Sequence, residues 1–433
     1  MAIFDRSALN PGVAPREVFG WAMYDFANSG YTTVVLTAVF NAYFVGVVAG
    51  NAAWATLAWT LALALSNALV LLSAPAIGAH ADAHGTKKPL LLLSTIGCIV
   101  GTLALAFAQP GTLLLAVLAI VVSNYFFSLG ESLIAAFLPE LARQQAIGKV
   151  SGWGWSFGYF GGMLTLGICL ALVLGAQGSG RSAAQFVPWT MLVTAAVFAL
   201  AAIPTFVVLR ERATPSLASS LSHGKTAFER LRQTWQESAR FSDFRRFLIC
   251  GASYQAGISV VIALAAIYAE QAMGFRQTQT MTLVFLVNIA SAAGAFLFGY
   301  WQDRIGHRRA LAITLYGWLL MIGLAGLGKS VELFWLAAVV AGLCMGSSQS
   351  CGRAVVGVMA PPERLAEFYG LWTFAVRLAA IVGPVTYGLV TWATAGNHRL
   401  AILVTGVFFL VALWVLRQVD IDRARRAAGQ HLQ

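Results

Sequence analysis

Four ionisable side chains stand inside apolar segments that have no structural use for charge. Asp25 lies in "WAMYDFANSGY", Glu131 in "SLGESLIAAFLPE", Arg353 in "SCGRAVVGVMAPPE" and Arg377 in "WTFAVRLAAIV". A charge in such a segment is costly and persists where it faces a cavity or a partner. A carboxylate starved of water shifts toward its neutral acid, which makes Asp25 and Glu131 candidate proton carriers or gate residues. Arginine does not titrate, and its planar fork fits a carboxylate or phosphate. Arg353 and Arg377 are therefore candidate anchors for an anionic group. Helical spacing gives each charge polar company: Asp25 with Asn28, Ser29 and Thr32; Glu131 with Asn124, Phe127 and Ser128; Arg353 with Gly346, Gln349 and Ser350. These stripes are too wet for lipid and are expected to line a shared aqueous cavity. Glu270, near the end of its apolar run, is the remaining buried charge.

The elements that position these residues follow from composition. The 433 residues are 59% hydrophobic and 10% charged, with mean hydropathy +0.75; soluble domains carry about 25% charged residues. Twelve apolar runs are long enough to span lipid: roughly 17–48, 54–81, 89–108, 112–138, 150–175, 187–209, 244–271, 278–300, 309–327, 332–360, 366–393 and 399–417. Lipid cannot satisfy backbone polar groups, so only helices and closed barrels span it. Runs of this length are too long for barrel strands, and the expected fold is an all-α integral membrane bundle of twelve helices.

The formal charge of +11 is placed like a topogenic signal, not like a nucleic-acid footprint. With the N-terminus inside, the inner loops carry Arg6, Arg16, Lys87, Lys88, Arg143, Lys149, the cluster Arg210 to Arg246, Arg304, Arg308, Arg309, Arg364 and the tail Arg417 to Arg426. The outer loops carry Arg181, Arg276, Lys329 and Arg399. This asymmetry puts both termini in the cytoplasm. No cleavable signal peptide is read at the N-terminus. The five cysteines (Cys98, Cys169, Cys250, Cys344, Cys351) sit in apolar runs without metal spacing, and packing is their expected role. The chain shows no HExxH, GxSxG or phosphate-binding loop. Neither an enzyme, a metal site, a cofactor nor a nucleotide-driven pump is expected. A non-transporting sensor needs an output element, and the tail is short.

The chain repeats itself. "GAHADAHGTKK" (Gly78 to Lys88) and "GYWQDRIGHRR" (Gly299 to Arg309) both read G-x-x-x-D-x-x-G-x-x-K/R, at a constant offset of 221. Ser128, Gly130 and Pro139 recur as Ser350, Gly352 and Pro361 at an offset of 222, which makes Glu131 and Arg353 an acidic–basic pair of equivalent positions. The expected organisation is a six-helix half over 1–209, a linker over 210–243, a second half over 244–418 and a basic tail over 419–433. In the linker, Phe228, Leu231 and Trp235 share one helical face, expected to lie on the membrane surface.

The duplicated glycine–aspartate–glycine–basic loop resembles the signature of the major facilitator superfamily. "YDFANSGY", "SGWGWSFGYFGG" (Ser151 to Gly162) and "PPERLAEFYGLW" (Pro361 to Trp372) are together similar to the branch of the autophagy-related vacuolar amino-acid effluxer and its bacterial relatives. The resemblance implies a secondary transporter, an amino-acid-type exporter, and with buried carboxylates but no nucleotide machinery proton coupling is the expectation. It also implies a lysine in the eleventh run, where this chain has Arg377. Gly78, Asp82, Gly85, Lys88, Gly299, Asp303, Gly306 and Arg309 are expected to form a conformational latch, with Asp82 and Asp303 capping helix starts near Glu367 and Ser151. Asn28, Tyr31, Gln255, Arg353, Arg377 and Trp372 are the expected solute contacts. Tyr254 and Asn288 rank behind them, and Gln255 is read as the repeat counterpart of Asn28. Glu131 and Arg353 are expected to meet as an inner gate. The expected partners are membrane lipid, protons and a small solute, the expected location is the inner membrane, and the expected state is a monomer. A uniporter or a sodium-coupled carrier is the alternative.

Overall fold

The computed structural model describes residues 4–143, 147–212, 241–328, 330–360 and 365–427. Among them, twelve helices are long and apolar enough to cross a membrane. In chain order they are α1 (Pro15–Val48), α2 (Ala55–His84), α3 (Lys87–Leu105), α4 (Leu113–Ala135), α5 (Ile147–Gly178), α6 (Ala183–Val208), α7 (Ser242–Met273), α8 (Gln277–Ile305), α9 (His307–Leu327), α10 (Val331–Met359), α11 (Leu365–Ala393) and α12 (His398–Leu416). A short α13 (Ile421–Ala427) follows. The outer faces carry exposed Leu72, Leu114, Val207, Leu327 and Trp414, a surface suited to acyl chains and not to water.

The duplicated loops act as tight turns. Gly85 takes φ +61°, its N–H returns to Ala81 O, and α3 begins two residues later. Gly306, at φ +85°, separates α8 from α9. A side chain strains this left-handed conformation, so glycine is required at both places.

Helix α1 is α-helical to Tyr31, widens to π-helix over Thr32–Ala38 and again over Phe44–Val48, and breaks at Val39 (φ −127°, ψ −64°). Fully buried Asn41 patches the break. Its Nδ2 donates to Thr37 O (3.1 Å) and its Oδ1 accepts the Ala42 N–H (2.8 Å). No water reaches such groups inside a membrane, so the side chain replaces it.

Packing divides the chain into two compact units. Unit 1 comprises Met1–Ala55, Leu65–Gly224 and Arg276–Thr282; unit 2 comprises Thr56–Ala64, Lys225–Phe275 and Leu283–Gln433. In unit 1, α1 packs on α5 and α6, and α3 on α4; in unit 2, α7 packs on α11 and α12, and α9 on α10. The internal repeat therefore extends from loop motifs to helix pairing. The linker helix expected around Phe228, Leu231 and Trp235 lies outside the described residues.

Candidate functional site

In unit 1, two matched ladders bring α1 against α5. Asp25, Ser29 and Thr33 follow one another at four-residue spacing, as do Gly154, Gly158 and Gly162. A Cβ added at Gly154 would strike Asp25 Oδ2, at Gly158 it would come 2.7 Å from Ser29 Oγ, and at Gly162 2.6 Å from Thr33 Oγ1. Small residues let membrane helices approach this closely. Half-buried Asp25 thus turns toward α5 together with Ser29 and Thr33. Asn28, expected beside it on an aqueous face, is 5% exposed, and its Oδ1 has no hydrogen-bond partner among the described residues.

Tyr31 departs from its expected role. It is fully buried, its hydroxyl pairs with Ser123 Oγ (2.8 Å) and its ring stacks on Phe127 at 4.9 Å. Both its polar and aromatic surfaces are engaged inside the unit. The stripe expected around Glu131 is also partly internal: Asn124 Nδ2 donates to Ser66 Oγ (2.8 Å) and Ser128 is buried. Glu131 itself is half-buried on α4.

In unit 2, Gln255 is 8% and Trp372 7% exposed, Arg377 is half-buried, and Arg353 is exposed. The Tyr369 hydroxyl donates to Arg353 O (3.0 Å). Trp372 fills the space left by Gly251 and Gly352 and stacks on Phe247 (5.6 Å, 9°). Asn288 turns back on its own helix, Nδ2 donating to Val284 O (2.9 Å).

The units correct one sequence equivalence. Tyr24 lies over Gly130 in unit 1 as Tyr254 lies over Gly352 in unit 2, and Phe26 O approaches Gly161 as Ala256 O approaches Gly383. Both matches relate α1 to α7 by an offset of 230. The counterpart of Asp25 is therefore Gln255, and Asn28 corresponds to Ile258.

The terminus-bearing end of each unit is closed by carboxylates that motif reading did not single out. In unit 1, Glu17 pairs with Arg212 (2.8 Å), Glu140 with Lys87 (3.0 Å), and Glu140 also accepts the Arg212 N–H (3.1 Å). Glu211 accepts the Lys87 and Lys88 N–H groups (2.6 and 3.2 Å) at the start of α3, where exposed donors and the helix dipole favour an anion. Lys88 Nζ donates to Leu209 O (2.7 Å) at the end of α6. In unit 2, Asp243 accepts from Arg423 Nε (2.6 Å), Arg423 Nη2 (2.7 Å) and the Asp420 N–H (3.1 Å). Arg308 Nη2 donates to Arg417 O (2.8 Å), whereas Arg309 is exposed. The readable signal was an acid in the first turn of α1 and of α7, each with arginine nearby ("PREV", "SDFRR"). The side chains of Asp82 and Asp303, with Gly78 and Gly299 and the capping sites near Glu367 and Ser151, lie outside those described. Among the described residues no group of three or more His, Cys, Asp or Glu is arranged to hold a metal, and the five cysteines are buried thiols.

Residues 41–429 match the family described as "Vacuole effluxer Atg22 like". The chain is 25% identical over 408 residues to the uncharacterized MFS-type transporter YxiO of Bacillus subtilis (strain 168), covering 92% of each. It is 24% identical over 306 residues to autophagy-related protein 22-1 of Aspergillus fumigatus, a match that takes in 65% of this chain and 49% of that protein; the chain thus spans about half the fungal relative's length. The crystal structure of a D-xylose–proton symporter is similar with a TM-score of 0.72 at 16% identity, covering 94% of this chain and 99% of that one. At that identity the likeness is one of fold.

Proposed function

This chain belongs to the Atg22-like vacuole effluxer family of major facilitator transporters, and from that premise we propose that it is a proton-driven exporter working by alternating access. Its solute is small and polar and carries an anionic group, as an amino acid does. The observation that carries the proton coupling is the unequal pair Asp25 and Gln255. The repeat keeps a polar side chain at both positions, glutamine longer by one methylene, but only the carboxyl group can take up and release a proton. Asp25 sits half-buried against α5, its Oδ2 beside Gly154. Glu131 is the second carboxylate for this role. Arg353 and Arg377 supply permanent positive charge in unit 2, suited to a carboxylate on the solute.

The same reading assigns the terminus-bearing basic ends to the cytoplasm of a cell whose inner membrane holds the protein as a monomer. Gly85 and Gly306, with Lys88, Arg309, Gly78, Asp82, Gly299 and Asp303, form the latch that favours one conformation. Glu131 and Arg353 are the gate residues of this reading, at equivalent positions of α4 and α10. Reconstitution into proteoliposomes tests the central claim. An imposed pH gradient is expected to drive uphill movement of an amino acid, and uphill movement that persists after the gradient is collapsed sinks proton coupling.

A further inference from the structure

The repeat exposes one polar group that has lost its partner. In unit 1 the Tyr24 hydroxyl lies over Gly130 and is hydrogen-bonded to Thr95 Oγ1 (3.2 Å), with Ser94 Oγ close by. In unit 2 the equivalent Tyr254 hydroxyl lies over Gly352, is fully buried, and has no hydrogen-bond partner among the described residues. The cause is on α9. The buried faces of α3 (Leu91, Ser94, Thr95, Cys98) and α9 (Leu311, Thr314, Leu315, Trp318) match at an offset of 220, so Thr95 becomes the apolar, buried Leu315, and Ser94 becomes Thr314, whose hydroxyl donates to its own helix at Leu311 O (2.8 Å). The thiols of Cys250 and Cys351 bond elsewhere: Cys250 Sγ donates to Ala412 O (3.3 Å) and Cys351 Sγ to His307 O (3.5 Å). An orphaned buried hydroxyl costs stability, and phenylalanine would fill the same space without that cost.

Trp372 packs beside the hydroxyl. The Trp372 ring lies 6.3 Å from the Tyr254 ring, and its edge would sit 3.2 Å from a Cβ on Gly352. Its seat is lined by Gly251 and Gly352, and 7% of the residue still reaches solvent. A rotation of the indole off the two glycines would uncover the Tyr254 hydroxyl.

We propose that Tyr254 is a solute-binding residue, whose hydroxyl hydrogen-bonds a carbonyl or carboxylate oxygen of the solute when Trp372 swings aside. This deepens the transporter reading and rests on it. The test compares Tyr254→Phe with Tyr24→Phe in the purified full chain. The readouts are the melting temperature and the affinity for four probes: glutamate, lysine, alanine and phenylalanine. Tyr254→Phe is expected to melt higher without solute, yet to bind the responding probe about tenfold more weakly, the loss of one hydrogen bond. Tyr24→Phe is expected to melt lower with affinity unchanged. A probe response in the wild type that Tyr254→Phe retains in full overturns the inference alone. A wild type that answers none of the probes overturns the amino-acid reading, and the inference with it.

Discussion

The carboxylate of Asp25 rests against Gly154: of all atoms near that glycine, Asp25 Oδ2 is the first an added Cβ would strike, followed by the Trp21 ring at 2.7 Å. Trp21 cannot give way freely, because its indole N–H donates to Ile134 O (2.9 Å). Gly154→Ala is therefore expected to destabilise by about 1–3 kcal/mol, the usual cost of overpacking, and to slow transport by displacing Asp25. Gly167, on the same helix, has open space around its Cα; Gly167→Ala should be neutral or gain up to about 1 kcal/mol in helix propensity. Melting curves of the two variants in one detergent check the contrast.

Asp25→Asn converts the site to the amide that its counterpart Gln255 already presents. Solute binding and downhill exchange are expected to survive, while uphill transport and its dependence on the pH gradient disappear. Glu131→Gln is the comparison. If Asp25→Asn leaves pH-driven accumulation intact and Glu131→Gln abolishes it, the carrier is Glu131.

How far the sequence reached is clear from individual residues. The twelve spans were legible because lipid demands long apolar helices, and Gly85 and Gly306 because a turn of one or two residues demands positive φ. The direction of Asp25 was not, since Asn28 and Ser29 both lie within a turn of it and only the glycines of α5 decide between them. The pairing of Gln255 with Asn28 failed for a chain-length reason. Unit 1 absorbs extra residues between α1 and its loop, in a 34-residue α1 with π-helical turns and the connection 49–54, whereas α7 has 32 residues and is followed only by 274–276. An offset taken from the loops therefore does not carry back to α1. The closing carboxylates escaped notice because Glu140 meets Lys87 and Arg212 in unit 1, and Asp243 meets Arg423 in unit 2, only when distant helix ends fold together.

Arg353 and Arg377 share one expected role, and Arg353 has a second at the gate. Both Arg→Ala changes are expected to weaken binding of solutes with a carboxylate by about tenfold or more, the scale of a charge-assisted contact, and to leave an uncharged analogue nearly unaffected. If Arg353 also closes a gate with Glu131, the exchanged pair Glu131→Arg with Arg353→Glu should recover part of the flux lost in either single variant. Unchanged affinity in both alanine variants removes the anion-site proposal, and absence of rescue removes the gate.

The clamp at Asp243 makes a prediction with a definite order. Asp243 is 4% exposed at its side chain and holds two nitrogens of Arg423 together with the Asp420 N–H, with Arg246 at 3.6 Å; Arg423 is 54% exposed. Removing the exposed partner leaves the carboxylate with Arg246 and the backbone donor, so Arg423→Ala should lower the melting temperature only slightly, as exposed ion pairs do. Asp243→Ala instead removes the acceptor these donors share; water takes up the exposed guanidinium groups but the Asp420 N–H loses its partner, so its cost should be the larger, about 1 kcal/mol. Hydrogen bonding to Asp243 raises the Arg423 guanidinium above its ordinary value. A raised basic group contributes stability that is fully present below its unfolded value and lost only as pH rises through the folded one. Melting temperatures followed from neutral to mildly alkaline pH should therefore show no loss from this arginine. Raising the salt concentration should narrow the gap between wild type and Arg423→Ala more than that between wild type and Asp243→Ala; equal sensitivity in the two would show that the Asp243 clamp is as solvated as its partner and contributes no more than a surface pair.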